Sequence, residues 1–300
     1  MSTAVSGLTD VAVEAAPPRR AAGRGALGLG LLLGPGLLIL AAGLLWPCLT
    51  MLQVSLQDRF PDPTGYTLEH YRAVLTDAYF LRIIGRTFWL AAVVTLVTAV
   101  LGYPVAWYLA RSSSRRKHLI FLGIIAPLLV SIIVRTLGWT IILGNEGLVN
   151  AVLRGLGLVD EPLKLMQGFW SVVLGMVHIL LPFMILSVAA VVGKIDRGVI
   201  EAATVLGADP VRAFLRVALP LSVQGIASGS VIVFCLTVGA FVTPVMLGRG
   251  QVTVLAVTIH EQMVVLVDWP TGAALAMILT FGTLVVLTAY GLFLRRHARR

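Results

Sequence analysis

One charged side chain interrupts the apolar stretches of this sequence. Six stretches are long and apolar enough to cross a membrane, and Arg135 is the only Asp, Glu, Lys or Arg within them. An arginine inside hydrocarbon costs at least about 2.5–3.5 kcal/mol, which makes it a candidate functional group. We expect Arg135 either to contact a solute or to act structurally, by binding carbonyls of a broken helix or by reaching toward the membrane surface.

Trp139 lies four residues after Arg135, one helical turn further along the same face. Its ring can stack on an alkyl-ammonium group through cation–π attraction. Tryptophan is also common where membrane meets water, which gives a purely positional alternative. His178 falls in the middle of the fourth apolar stretch, and we expect it to hydrogen-bond to a neighbouring helix.

Breaks in the backbone are a second source of polar groups inside a membrane. Pro104, Pro182 and Pro244 fall within apolar stretches and are predicted to kink or break helices. A broken helix exposes backbone polar groups, which membrane proteins tolerate where those groups line a cavity. Gly239, Thr243 and Pro244 are therefore predicted to line a pathway across the membrane.

The composition indicates that the elements holding these residues lie in a bilayer. Of the 300 residues, 58% are hydrophobic and only 12% are charged, about half the charged share of a soluble domain. A helix needs about 20 apolar residues to cross the bilayer. The sequence therefore predicts an all-α membrane protein with six transmembrane helices, comprising a disordered cytoplasmic tail over residues 1–25 and a six-span domain over 26–300. The predicted spans cover about 27–54, 87–110, 119–144, 168–192, 221–247 and 271–294.

The positions of the basic residues predict the orientation. An even number of spans places both termini on one side of the membrane. The segments on that side hold fifteen lysines and arginines, whereas the opposite loops hold seven. Basic residues concentrate in cytoplasmic loops, so both termini are predicted to be cytoplasmic. The same distribution explains the net charge of +9 without a nucleic-acid partner.

Several kinds of chemistry have no counterpart in the sequence. It contains no G-x-x-x-x-G-K-[ST] motif, so we expect ATP to be bound by partner subunits. Neither an H-E-x-x-H motif nor a cysteine cluster is present, since Cys48 and Cys235 lie in separate apolar stretches, and no metal or other cofactor is expected. The chain is not predicted to be an enzyme. A proton- or sodium-coupled carrier is disfavoured because the lone intramembrane charge is basic.

The loop between the fourth and fifth spans has the pattern of two short helices joined by a tight corner. Asp196 is a predicted N-cap, and Gly207 is a predicted helix stop that can adopt a positive φ. Asp209 is predicted to cap the second helix, with Pro210 in its first turn. Glu201 offers a carboxylate beside the small residues 202 and 203. From these residues alone, both a docking element and an ordinary solvated hairpin remain open.

A resemblance favours the docking element. The run Glu201-Ala202-Ala203, followed by Gly207 and by Val217-x-Leu219-Pro220, resembles the EAA loop of ABC importer permeases. The resemblance implies the type I importer permease fold, with this loop as the coupling helix that docks on an ATPase subunit. The residues to which it assigns coupling are Glu201, Ala202, Ala203, Gly207, Asp209 and Pro210. It also implies a bacterial inner-membrane location and three kinds of partner, namely two ATPase subunits, a second permease subunit and an extracytoplasmic solute-binding protein.

Further segments resemble a narrower group, the spermidine/putrescine permeases. They are Arg135–Trp139, Leu143–Asn150, Leu181–Leu186, Gly239–Pro244 and Trp269–Ala274. The resemblance implies a polyamine cargo, and another small solute (amino-acid-like, opine or iron) remains the alternative. A polyamine is a cation that Arg135 would repel, so in that case Arg135 is expected to be a clamp or gate and not a ligand. A stand-alone secondary transporter is the rival from outside the importer class.

Overall fold

The structure is a computed structural model that describes the backbone of residues 22–298. The chain divides after Thr50 into two units. Most of the predicted tail, residues 1–21, lies outside the described residues. The first helix begins at Ala22, so the predicted boundary between residues 25 and 26 falls inside a helix.

The described residues form helices and loops without a β-strand. The helices, numbered in chain order, are α1 (Ala22–Ser55), α2 (Glu69–Thr76), α3 (Ala78–Arg111), α4 (Arg116–Ile125), α5 (Ile132–Ile142), α6 (Leu148–Gly155), α7 (Phe169–Val192), α8 (Arg197–Val205), α9 (Pro210–Ala213), α10 (Leu219–Val238), α11 (Val242–Gly248), α12 (Leu255–His260) and α13 (Trp269–Ala298). A 3₁₀ turn covers Ala126–Leu129, and π-helical turns cover Phe214–Ala218 and Glu261–Val265. The all-α fold class is confirmed.

Five helical segments of the described residues are long and apolar enough to cross a membrane. The number becomes six if the third apolar stretch, which is bent, counts as one span. That stretch consists of residues Arg116–Leu129 and Ile132–Ile142, which meet at an angle of 101°. The bend follows the 3₁₀ turn that contains Pro127, where Val130 is extended and Ser131 caps α5 by accepting a hydrogen bond from the Ile133 N–H.

Of the three prolines predicted to kink or break helices, two lie inside continuous helices and the third follows a break. Helices α3 and α7 continue through Pro104 and Pro182, so neither helix is broken there. The fifth apolar stretch is broken, but before Pro244: α10 ends at Val238, and α11 begins at Val242. Pro244 therefore lies in the first turn of α11, where a missing N–H breaks no intrahelical hydrogen bond.

Helices α3, α7 and α10 pack together and form the centre of residues 51–300. Helix α7 is the most buried of the candidate spans, and α10 approaches it at two glycines. A Cβ atom at Gly229 would lie 2.7 Å from the Met184 sulfur, and one at Gly225 would lie 3.0 Å from the Val188 Cα. Small residues at a helix interface allow this close backbone approach in a membrane. The contact fixes α10 on α7 and so positions the break that follows Val238.

A short loop between α1 and α2 is organised by one carboxylate. Asp58 accepts hydrogen bonds from the Thr64 hydroxyl, from the Thr64 N–H (2.9 Å) and from the Gly65 N–H (3.1 Å). These bonds, the Thr64 hydroxyl first among them, lower the pKa of Asp58 to about 2. The ionised carboxylate is favoured in the folded loop, so its contribution is present above the ordinary pKa of 3.8 and is lost as the pH falls through about 2.

Candidate functional site

A cavity of about 400 Å³ opens between α5, α7 and the break that separates α10 from α11. Helix α7 contributes Met176 and Phe183, and the break contributes Gly239, Ala240 and Phe241. Most of the wall is apolar, and the backbone of the break adds polar groups where two helices end and begin. The predicted pathway residues Gly239 and Thr243 both line this cavity.

Arg135 also lines the cavity, from the first turns of α5. Its Nε and Nη1 atoms are buried and have no hydrogen-bond partner among the described residues. The expected clamp on the carbonyls of a broken helix is therefore not formed by these two atoms. An arginine in this state leaves an uncompensated positive charge at the cavity wall, which repels cations and attracts anions.

The neighbouring residue joins α5 to the helix after the break. Thr136 is fully buried, and its hydroxyl oxygen lies 3.3 Å from the hydroxyl oxygen of Thr243. A Cβ atom at Gly175 on α7 would lie 3.0 Å from the Thr243 methyl carbon. Helices α5, α7 and α11 therefore meet at Thr243, beside the cavity that Arg135 and the break both line.

Two of the predicted pathway residues lie elsewhere. The Trp139 indole N–H donates to Nδ1 of His178 at 3.1 Å, and the two rings meet edge to face. This contact confirms the expected interhelical role of His178, and Trp139 is not among the residues lining the cavity. Pro244 is buried and does not line the cavity either. Sequence reasoning did not single out Phe183 and Phe241, although both lie in segments that carry the resemblance to the spermidine/putrescine permeases.

The loop between α7 and α10 has the predicted geometry of two capped helices. The Asp196 carboxylate accepts from the Gly198 N–H at the start of α8, and Asp209 accepts from the Arg212 N–H at 2.7 Å at the start of α9. Gly207 has a φ of +88°, a left-handed conformation that favours glycine and ends the helix. Pro210 is the first residue of α9. We call residues 196–213 the docking segment.

The exposed tip of the docking segment is apolar. Val205 and Leu206 are 86% and 88% exposed, and Val211 is 65% exposed. Glu201 and Ala202 are exposed on α8, whereas Ala203 is half-buried. Apolar side chains grouped at an exposed tip are typical of a protein–protein contact.

Aromatic rings connect the docking segment to α3. Phe214 lies at the end of α9, and its ring is perpendicular to Tyr103 at 5.4 Å and to Trp107 at 6.0 Å between centroids. The Tyr103 hydroxyl lies 2.9 Å from the Ser222 hydroxyl on α10. Residues Pro210–Val238 form one continuous helical segment, so the docking segment is continuous with α10, and the Phe214 ring that follows it packs against α3.

Membrane-crossing helices, a broken span beside a cavity and an exposed docking segment together define a membrane transport subunit. The sequence matches the family described as binding-protein-dependent transport system inner membrane component over residues 87–299. The chain belongs to this family, and its recognition as an ABC importer permease is confirmed. It is accordingly a multi-pass protein of the inner membrane.

Two curated relatives show how far the similarity extends. The chain is 32% identical over 225 residues to the spermidine/putrescine transport system permease protein PotB of Escherichia coli (strain K12), a match that covers 75% of this chain and 82% of that protein. It is 32% identical over 244 residues to the inner membrane ABC transporter permease protein YdcU of the same strain, covering 77% of this chain and 75% of that protein.

A solved structure shows the same fold. The crystal structure of a bacterial ABC transporter involved in the import of the acidic polysaccharide alginate contains a chain that superposes with a TM-score of 0.74 at 19% identity. The match covers 91% of this chain and 96% of that chain. The type I importer permease fold is thereby confirmed.

Proposed function

We propose that this chain is a permease subunit of a polyamine importer and that it forms one wall of the translocation pathway. The similarity to the spermidine/putrescine permease, which extends over 75% of this chain and 82% of that protein, carries the proposal. Both termini and the docking segment face the cytoplasm, as the distribution of basic residues supports.

The docking segment contacts one of two ATPase subunits in this proposal. ATP binding draws the two ATPases together, and the segment at Glu201–Pro210 transmits the movement to the spans. A second permease subunit, a different chain, completes the pathway. The exposed apolar tip at Val205 and Leu206 supports such a contact because its burial would be favourable at about 25 cal/mol per Å².

The cavity in this chain supplies only part of the contacts that a polyamine needs. Among the described residues that line it, none is acidic, and a polyamine carries several positive charges. The rings of Phe183 and Phe241 offer cation–π and apolar contacts for an alkyl-ammonium chain. We therefore assign the carboxylate ligands to the second permease subunit. Arg135 acts in this arrangement as a charge barrier that keeps cations from crossing until the cavity rearranges.

Uptake of labelled putrescine and spermidine by cells with and without this gene tests the proposed cargo. Energy-dependent uptake is expected to disappear in the deletion strain and to return when this chain is supplied. Unchanged polyamine uptake, measured in a strain without other polyamine importers, would contradict the polyamine cargo. In that case the unpaired Arg135 guanidinium would fit an anionic solute.

Removing the Phe214 ring is expected to uncouple ATP hydrolysis from transport. The Phe214→Ala substitution deletes two edge-to-face contacts, each worth about 0.5–1.5 kcal/mol, and leaves a void beside Tyr103 and Trp107. Uptake is expected to fall about 10-fold while ATPase activity of the assembled complex persists. Leu215→Ala is the matched control, since Leu215 is the next residue in the chain and its side chain is 53% exposed. Equal uptake by Phe214→Ala and wild type would exclude this route of transmission.

A further inference from the structure

Within residues 51–300, a polar pocket lies at the end opposite the docking segment. It measures about 280 Å³ and is lined by Gly144, Asn145, Lys164, Met166, Gln167 and Arg249. The residues come from the loops around α6 and from the loop after α11. We call it the outer pocket, because α7 and α10 each have the docking segment at one end and this pocket near the other.

A buried asparagine fixes one side of the outer pocket. Asn150 on α6 is fully buried. Its side-chain NH₂ donates to the Gly144 and Leu163 carbonyls at 3.0 Å each, and its side-chain oxygen accepts from the Leu163 N–H at 2.9 Å. Gly147 is equally constrained, since a Cβ there would lie 2.4 Å from the Ile141 carbonyl oxygen. The backbone beside Lys164 is therefore held in one conformation.

The other sides of the pocket contain backbone that side chains rarely adopt. Gln167 has a φ of 71° and Arg249 a φ of 42°, both in the left-handed region, which is unfavourable for residues other than glycine. The Gln167 N–H donates to the Leu247 carbonyl at 3.0 Å and so joins the two loops. Strained backbone of this kind is found preferentially at binding and active sites.

The charges at the pocket are positive and unpaired. Lys164 and Arg249 are exposed, and neither forms an ion pair with a described carboxylate. The acidic residues nearest in sequence, Glu146 and Glu161, are exposed and line no part of the pocket. Two cations around a preformed polar concavity are complementary to a carboxylate, which accepts charge-assisted hydrogen bonds from both.

We propose that the outer pocket receives an acidic side chain of the extracytoplasmic solute-binding protein. The proposal rests on the binding-protein dependence of the family and on the outward orientation proposed above. A carboxylate on one lobe of that protein enters between Lys164 and Arg249, and its contacts anchor the lobe on the permease. The rigid walls favour this occupant over a mobile loop of the same chain, because a preformed site binds without a further loss of conformational freedom.

The binding of the solute-binding protein to the whole transporter in nanodiscs tests the proposal. In the double variant Lys164→Gln, Arg249→Asn both charges are removed, and asparagine tolerates the left-handed backbone at position 249. The dissociation constant of the binding protein is expected to rise at least 10-fold, and the wild-type constant is expected to rise with salt more steeply than that of the variant. Basal ATPase activity is expected to stay unchanged.

Arg154→Gln on α6 is the matched control, since Arg154 is also an exposed cation on this end but does not line the pocket. A dissociation constant for the double variant within two-fold of wild type would overturn the proposal. So would an effect that appears in nanodiscs of anionic lipid but vanishes in neutral lipid, which would assign the pocket to lipid headgroups. Failure of the proposed importer function would give a different result, which is seen in the wild type. The wild-type complex would then show no binding-protein-stimulated ATPase activity.

Discussion

Uptake is expected to fall about 100-fold when Glu201→Lys and Gly207→Pro are combined in the docking segment. Gly207 has a φ of +88°, and its N–H donates to the Thr204 carbonyl at 3.0 Å. Proline fixes φ near −65° and has no N–H, so the corner between α8 and α9 cannot form; the cost is about 3 kcal/mol or more. Glu201→Lys also reverses an exposed charge on the surface that we assign to the ATPase contact.

The conformational part of this prediction has a control at the same position. Gly207→Asn introduces a residue that also tolerates the left-handed region, and a Cβ at position 207 has open space around it. Uptake by Gly207→Asn is expected to stay within a few-fold of wild type. Co-purification of the ATPase shows whether the double variant fails at docking or at folding of the spans. Wild-type uptake by the double variant would contradict the coupling role of the segment.

Replacing Arg135 is expected to open a leak for cations. The guanidinium is the one charged group among the described residues that line the cavity. A unit positive charge 4 Å from it is repelled by about 4 kcal/mol at an effective dielectric constant of about 20. In proteoliposomes loaded with labelled putrescine and lacking ATP, Arg135→Gln is expected to increase the leak at least 10-fold, because the apolar wall then remains as the only barrier.

Arg135→Lys keeps the charge and is expected to leak no more than wild type. The pair of variants separates the barrier from a ligand role. If Arg135→Gln leaks like wild type and abolishes uptake, Arg135 binds the solute or supports the cavity, and the barrier hypothesis is wrong. Leak rates must be compared at equal amounts of folded protein, because a substitution at an unpaired intramembrane charge also changes membrane insertion.

Local patterns in the sequence predicted those features that depend on a few neighbouring residues. The caps at Asp196 and Asp209 and the left-handed glycine at 207 follow from side-chain chemistry within three or four positions, and the structure contains all three. The apolar stretches were equally visible, because length and the absence of charge suffice to indicate a span. The resemblance of the docking segment to a known loop then supplied the family.

Features that depend on distant contacts could not be predicted. Pro244 predicts a break at its own position, whereas α10 ends at Val238 and α11 begins at Val242, so that the break covers residues 239–241 and Thr243 beyond it packs against Gly175. Trp139 shares a helix face with Arg135, yet its N–H is directed to His178, which lies 39 positions away. Phe214 gave no signal, since its importance comes from Tyr103 and Trp107 on another helix.

Transport by the purified assembly tests the central claim that this chain is driven by ATP through partner subunits. The two permeases and the ATPases are reconstituted in liposomes with ATP inside, and the binding protein and labelled spermidine are added outside. We predict uptake only when both ATP and the binding protein are present, and none with a non-hydrolysable ATP analogue. Uptake that persists without ATP, or that follows an imposed proton or sodium gradient, would show a secondary transporter and contradict the account.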